Sequence, residues 1–130
     1  MLLTNSKPIA TPEQFKKALL VLRDKHLPSS HFNMLRAQCR SPETKITSTQ
    51  LAAAANYENY NAANLQYGTL AFNVAGALGF TPHAQRADGS LCWWTTLAIS
   101  EENQADESTG HFQFIMRPEL ATALREVHWA

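Results

Sequence analysis

Residues 46–80 read ITSTQLAAAANYENYNAANLQYGTLAFNVAGALGF, and this stretch decides the predicted fold. Thr47 and Gln50 have the spacing of a capping box, in which the two side chains satisfy free backbone N–H groups at the start of a helix. The alanine-rich run that follows favours a short helix. The asparagines and tyrosines of residues 56–60 favour a tight polar turn. The stretch therefore predicts a short capped helix, a turn and a longer helix.

The longer helix is predicted to span about residues 61–78. Apolar residues recur there at spacings of three and four, which is the period of one buried helix face. They are Ala63, Tyr67, Leu70, Val74 and Leu78. Leu65 and Phe72 are expected to widen this buried stripe. Asn59 or Asn61 is the candidate N-cap, because an asparagine side chain accepts a hydrogen bond from the first helical turn.

Further helices are predicted on either side of the central stretch. A second capping box at Thr11 begins a helix that ends near His26. The next helix is predicted from about residue 29 to residue 39. Residues 118–128 predict a C-terminal helix that begins with proline, a residue favoured at the first helical position. Residues 1–10 are expected to be a loosely ordered lead-in.

Residues 90–116 predict a β-hairpin. Aromatic and β-branched residues are enriched in residues 91–99 and alternate there, which is typical of a strand whose two tryptophans face opposite sides. Residues 111–116 are the predicted return strand. Between them, residues 100–110 contain four acidic residues and no basic residue, which predicts a long, mobile, solvated loop.

The order of these elements predicts a mainly α domain with a β-hairpin, an α+β fold. Four helices are followed by the hairpin and a last helix, and residues 46–80 form a helix-turn-helix-like core. A hairpin after such a pair is the winged-helix arrangement. The 130 residues, 45% apolar and 17% charged, suit one folded domain. No apolar run approaches the length needed to span a membrane.

The charge distribution is polarised although the formal net charge is zero. A zero net charge argues against a dedicated strong nucleic-acid binder. However, residues 1–50 hold eight basic and three acidic residues, and residues 51–130 hold three basic and eight acidic residues. A surface of that kind suits either a phosphate backbone or a dipolar contact with another protein.

The chain carries no recognised catalytic signature. Cys39 and Cys92 are far apart and no secretory signal is visible, so we expect reduced thiols and a cytoplasmic location. No C-x-x-C motif and no zinc-type histidine spacing occurs. We therefore predict no enzyme activity, no metal site and no cofactor.

The leading hypothesis is that the domain recognises double-stranded DNA with the N-terminal part of the 61–78 helix. Amide side chains at the start of a recognition helix bond adenine bidentately. The candidate base-reading residues are Asn59, Asn61, Asn64 and Gln66. The candidate phosphate contacts are Arg36, Arg40 and Lys45. Tyr57 and Tyr60 lie in the turn, where their rings suit stacking on bases or contact with a protein.

Two alternatives to DNA recognition stand beside this hypothesis. Many helix–turn–helix stretches in small helical domains are only packing units. The domain also suits a protein-interaction module, such as an adaptor, inhibitor or immunity protein, that uses the hairpin aromatics and the acidic loop. The acidic hairpin tip favours this second alternative, because a wing that touches DNA needs lysine or arginine. The DNA site and the oligomeric state stay open.

Part of the central stretch resembles a small module found with bacterial HNH-type restriction endonucleases. The residues that carry the resemblance are Leu51-Ala52, Asn56-Tyr57, Tyr60, Ala62-Ala63-Asn64-Leu65-Gln66-Tyr67-Gly68 and Leu70-Ala71. It covers about the central third of the chain and extends loosely to residues 116–120 and Trp129. The resemblance implies a DNA-associated accessory role in a bacterial defence or regulatory system. No HNH nuclease segment is present, so cleavage activity is not implied.

Overall fold

The structure is a computed structural model that describes residues 3–4, 7–101 and 110–130. Its α-helices are α1 (Pro12–Asp24), α2 (Ser29–Arg40), α3 (Ser48–Ala55), α4 (Tyr60–Leu78) and α5 (Pro118–Glu126). Its strands are β1 (Leu3–Thr4), β2 (Lys45–Thr47), β3 (Ala98–Glu101) and β4 (Gln113–Met116). Short 3-10 helices span Pro42–Thr44 and Trp93–Thr96. The predicted α+β class is confirmed.

The predicted helix starts are formed by local side-chain caps. Thr47 Oγ1 accepts from the Gln50 backbone N–H at 3.2 Å, and Gln50 Oε1 accepts from the Thr47 N–H at 2.9 Å. Asn59, not Asn61, caps α4, because its side chain accepts from the Ala62 N–H at 3.0 Å. Asn56 ends α3 in the left-handed conformation, with φ of 61°. These caps fix the α3–turn–α4 pair.

The strands form a small antiparallel sheet in the order β1-β3-β4-β2. Ile99 pairs with Ile115 across β3 and β4, which confirms that the predicted hairpin strands are neighbours. The connection through residues 102–109, including most of the predicted acidic loop, lies outside the described residues. The sheet also includes β2, where Ile46 pairs with Phe114, although the sequence did not predict this strand.

One sequence prediction about strands is wrong. The segment 91–99 is not one strand, because Trp93–Thr96 forms a 3-10 helix before β3. The physical reason is local hydrogen bonding: the Cys92 carbonyl accepts from the Thr95 N–H at 3.1 Å and from the Thr95 hydroxyl at 2.7 Å, which closes a turn in place of strand pairing. Within the predicted lead-in 1–10, Leu3–Thr4 pairs with β3.

The core lies between α4 and the sheet. The Tyr67 ring packs on the Phe114 ring with 4.9 Å between centroids, and Trp94 packs edge-on to Phe114 at 5.2 Å. Tyr67 Oη donates to Gln38 Oε1 at 2.6 Å, and Gln38 Nε2 donates to the Phe114 carbonyl at 3.2 Å. Burial raises the pKa of Tyr67, so the phenol stays neutral in the core. The prediction that Tyr67 is a core residue is confirmed.

Candidate interaction surface

The amide side chains expected to read DNA bases are bonded within the domain. Asn59 caps α4. Ser48 Oγ donates to Asn64 Oδ1, which joins α3 to α4. Gln66 Oε1 lies 2.8 Å from Nε2 of the buried His31 on α2. Of the four amides, Asn61 is exposed and has no described hydrogen bond to its side chain within residues 7–101 and 110–130.

The two turn tyrosines also take part in internal contacts. Tyr57 is half-buried and its hydroxyl donates to Ser30 Oγ at 2.9 Å. The Tyr60 ring covers Gly110: a Cβ on that glycine would lie 3.1 Å from a Tyr60 ring carbon and 2.6 Å from Thr49 Oγ1. Only glycine fits there without a rearrangement, so Gly110 packs directly against the α3–α4 pair.

The predicted phosphate contacts do not share a face with the start of α4. Arg36 and Arg40 are exposed on α2, five and nine residues beyond His31. At ~100° per residue, both lie on the side of α2 opposite His31, which bonds to α4. The Arg36 guanidinium lies 5.9 Å from the Phe32 ring centre. The geometry therefore separates these arginines from the amides.

Lys45 has acidic partners of its own. Its Nζ lies 2.8 Å from a Glu101 oxygen and 3.3 Å from a Glu43 oxygen. The hydrogen bond to Glu101, followed by the one to Glu43, raises the pKa of Lys45. A phosphate would have to compete with two carboxylates at this position, so the ion pairs weaken Lys45 as a DNA contact.

The exposed side of α4 carries two large apolar residues. Leu65 is 68% exposed and Phe72 is 53% exposed, although both were predicted to widen the buried stripe. That prediction is wrong, because the sheet and α1 cover the side of the helix that carries Tyr67, and Leu65 lies two positions away from it. Phe72 packs edge-on against half-buried Trp93, with 4.7 Å between ring centroids. Val21 of α1 is 40% exposed. We call Leu65, Phe72, Trp93 and Val21 the outer face.

Two open cavities flank Phe72 along the outer face. One, of about 420 Å³, lies between α4 and the end of α1. Val21, Lys25, His26 and Gly76 are among its lining residues. The other, of about 330 Å³, lies between α4 and the Trp93–Thr96 turn and is lined by residues that include Leu65, Gly68 and Arg86. Apart from the backbone of α4 itself and the adjacent residues, no described atom lies within 4 Å of where a Cβ would stand on Gly68 or Gly76. A partner can therefore approach α4 closely.

The described charged residues that line the two cavities are basic. The α4 sequence contains no charged residue. Lys25 lines one cavity and Arg86 lines the other, and no aspartate or glutamate is among the described residues that line either. Arg86 Nη1 donates to the Leu91 carbonyl at 3.0 Å, which holds the guanidinium at the cavity rim. Lys25 and Arg86 therefore form a cationic border, and uncharged polar residues such as Asn73 and Thr69 line the cavities together with the apolar ones.

The hairpin aromatics do not form the surface that the sequence predicted for a protein partner. Trp94, Phe112 and Phe114 are buried and pack on one another at 5.0–5.5 Å between centroids. Trp93 is half-buried and joins the outer face. The reason is that the 3-10 turn points Trp94 into the core and leaves Trp93 against α4. The sequence feature that indicates the outer face is the spacing of Leu65 and Phe72, which lie seven residues apart on a helix without charged residues.

No family model, no curated protein and no solved structure matches this chain. The resemblance to the module of HNH-type restriction endonucleases therefore stays a prediction. Within the described ranges, no three histidine, cysteine or acidic residues converge as metal ligands. No helix there is both long and apolar enough to cross a bilayer.

Proposed function

We propose that the domain is a non-enzymatic protein-interaction module whose outer face binds an amphipathic helix of a partner protein. The proposal rests on the exposure of Leu65 and Phe72 on a helix that has no charged residue. Exposed apolar patches with a polar rim mark interaction sites more often than isolated surface residues do. The proposal extends the adaptor, inhibitor or immunity class and places it on α4 instead of the hairpin.

The shape of the outer face supports a helical partner. Leu65, Gly68 and Phe72 follow the i, i+3, i+7 spacing along one side of α4. Helix-in-groove recognition uses apolar anchors at such spacings. Phe72 stands between two cavities, so a partner helix that crosses α4 can insert side chains on both sides of its ring.

The cationic border favours a partner helix that has acidic residues beside its apolar stripe. Lys25 and Arg86 line the cavities at the two ends of the outer face. Complementary charge steers association and disfavours partners of like sign. A second copy of this chain would present the same cations and the same uncharged helix, so the border disfavours self-association through this face.

DNA recognition is the second candidate. The α3–turn–α4 pair followed by β3 and β4 supports it, as does the resemblance to a restriction-associated module, and this candidate includes the winged-helix assignment. Asn61 is its exposed amide. The apolar outer face is its weakness, because a helix in the major groove needs donors and acceptors toward base edges, and phosphate contacts need cations. Either function suits a cytoplasmic protein of a bacterial defence or regulatory system, in which buried thiols such as Cys39 and Cys92 stay reduced.

A display library of helical peptides tests the proposal. The library fixes leucines at one helical stripe and randomises the flanking positions between glutamate and lysine. We expect selection against the wild-type domain to enrich glutamate-flanked peptides. The enriched peptides should bind the Phe72→Ser variant about tenfold more weakly, because a central aromatic anchor is lost. Asn61→Ala is the matched control on the same helix and should bind them like the wild type.

Three outcomes would overturn the proposal. They are enrichment of lysine-flanked peptides, no enrichment of any peptide, or equal binding of the enriched peptides by Phe72→Ser and by the wild-type domain. Fluorescence anisotropy with a mixed-sequence DNA duplex at physiological salt measures DNA binding by the wild-type domain and the same two variants. DNA binding that Asn61→Ala weakens and Phe72→Ser leaves intact would replace the proposal with DNA recognition.

A further inference from the structure

Arg117 lies buried where β4 meets α5, and is only 2% exposed. Its Nε donates to the Thr95 carbonyl at 2.8 Å, and its Nη1 donates to the Lys7 carbonyl at 2.9 Å. These bonds join the N-terminal segment, the turn before β3 and the start of α5. They use only two of the five guanidinium N–H groups.

Among the residues that the structure describes, no carboxylate balances the charge of Arg117. No aspartate or glutamate forms an ion pair with it within residues 7–101 and 110–130. Burial lowers the pKa of Arg117, and the field of Glu119 opposes this shift. Backbone carbonyls are dipoles and satisfy individual N–H groups, but they do not cancel a full charge. Buried charges are normally paired or bind an ion, because leaving water is costly.

A cavity of about 330 Å³ adjoins the guanidinium. Its lining includes Arg117, Lys7 and His83 as basic residues, and no described acidic residue. The remaining lining is mostly apolar: Pro8, Ile9, Phe80 and Ala84, with Thr95. Apolar walls with a few placed polar groups are typical of small-molecule sites. This cavity shares no lining residue with the two cavities of the outer face.

We propose that this cavity binds a small organic carboxylate, with its carboxylate on Arg117 and its apolar body against Ile9 and Phe80. Both N–H groups of Nη2 and one N–H of Nη1 are not used by the carbonyls of Thr95 and Lys7. The planar guanidinium fork binds carboxylate oxygens through charge-assisted hydrogen bonds. Lys7 and His83 are exposed residues of the cavity lining, and Lys7 adds positive charge there. The site is independent of the function proposed for the outer face.

A ligand series on the full chain tests this site. The probes are straight-chain carboxylates from acetate to hexanoate, the neutral hexanamide, and inorganic phosphate. Binding is followed by NMR through the Arg117 side-chain Nε–H and the His83 ring signals. We expect saturable shifts that strengthen with chain length, with hexanamide and phosphate each binding about tenfold or more weakly than hexanoate.

Two variants make the test decisive. Arg117→Lys keeps the charge but loses the fork, so hexanoate binding should weaken about tenfold or more. If that variant does not fold, Ala84→Phe fills the cavity from a half-buried position and should abolish the shifts while the circular dichroism spectrum is preserved. No saturable shift with any carboxylate, equal binding of hexanamide or phosphate, or unchanged binding by a folded Ala84→Phe variant would overturn the proposal.

Discussion

The two sides of α4 both carry large apolar residues, but those on one side are buried in the core and those on the other are exposed to solvent. Leu70 is fully buried, whereas Leu65 on the same helix is 68% exposed. Tyr67 is buried and hydrogen-bonded to Gln38, whereas Phe72 is 53% exposed and touches Trp93 at its edge. Hydrophobicity alone therefore does not determine which side of this helix joins the core. The sheet and α2 supply both apolar contacts and a polar partner to one side, whereas the other side is only partly covered, with Phe72 packed on half-buried Trp93.

The difference has an energetic meaning. Burying a leucine or phenylalanine side chain completely stabilises a fold by roughly 1.5–3 kcal/mol relative to leaving it exposed. The domain gains most of this at Leu70 and little at Leu65. The free energy of burial that Leu65 and Phe72 do not contribute to folding can instead stabilise a complex with a partner. The unequal burial of the two sides of α4 is therefore consistent with the function proposed for this helix.

Removing the Tyr67 ring should have the largest effect. Tyr67→Ala leaves a cavity beside Phe114 and removes the hydrogen bond to Gln38, so we expect the free energy of unfolding to fall by about 3–5 kcal/mol. Urea denaturation followed by circular dichroism measures this, and failure to fold agrees with it. A loss below about 1 kcal/mol would mean that the core does not centre on this side of α4.

Removing only the Tyr67 hydroxyl should have a smaller and pH-dependent effect. Tyr67→Phe leaves Gln38 Oε1 buried without its donor, at a cost of about 1–3 kcal/mol at neutral pH. Burial raises the pKa of Tyr67 above its value of about 10 in the unfolded chain. Its contribution is therefore present below about pH 10 and is lost as the pH rises further. Urea midpoints measured from pH 7 upward should converge for the two proteins above about pH 10, and a constant gap would contradict this account.

Truncating the outer face should have the smallest effect on stability. We expect Leu65→Ala to change the free energy of unfolding by at most about 0.5 kcal/mol, because the side chain is mostly in water. Leu70→Ala is the matched control: the same substitution on the buried side should cost about 2–5 kcal/mol. Equal losses in urea denaturation of the two variants would remove the distinction between the two sides.

Elements that depend on neighbouring residues were predictable from the sequence. The capping boxes at Thr11 and Thr47 formed as expected, because each bonds to a residue three positions away. The burial of Tyr67 followed from helical spacing. The β2 strand was not predictable in this way, because its three residues pair with β4 far along the chain and carry no alternating pattern of useful length.

The candidate site was harder to predict than the fold for the same reason. Asn64 and Gln66 looked like base-reading amides, yet they bond to Ser48 and His31, which lie 16 and 35 residues away in the sequence. A local pattern gives the chemistry of a side chain but not the partner that occupies it. The outer face depended equally on tertiary structure, since only the packing of α1 and the sheet decides which side of α4 is left uncovered.

The sheet register also sets the order in which the chain can fold during synthesis. Ile46 has its strand partner at Phe114, and Leu3 at Glu101, and β4 is the last described strand of the sheet in the chain. The α3–α4 pair needs only a short turn, and short loops close at low entropic cost. The helical pair can therefore form while the ribosome is still translating the second half. Ile46 then stays uncovered until β4 emerges, and α1 stays uncovered until α5 emerges with its buried Leu120 and Leu124, so translation through α5 becomes the step that completes the domain.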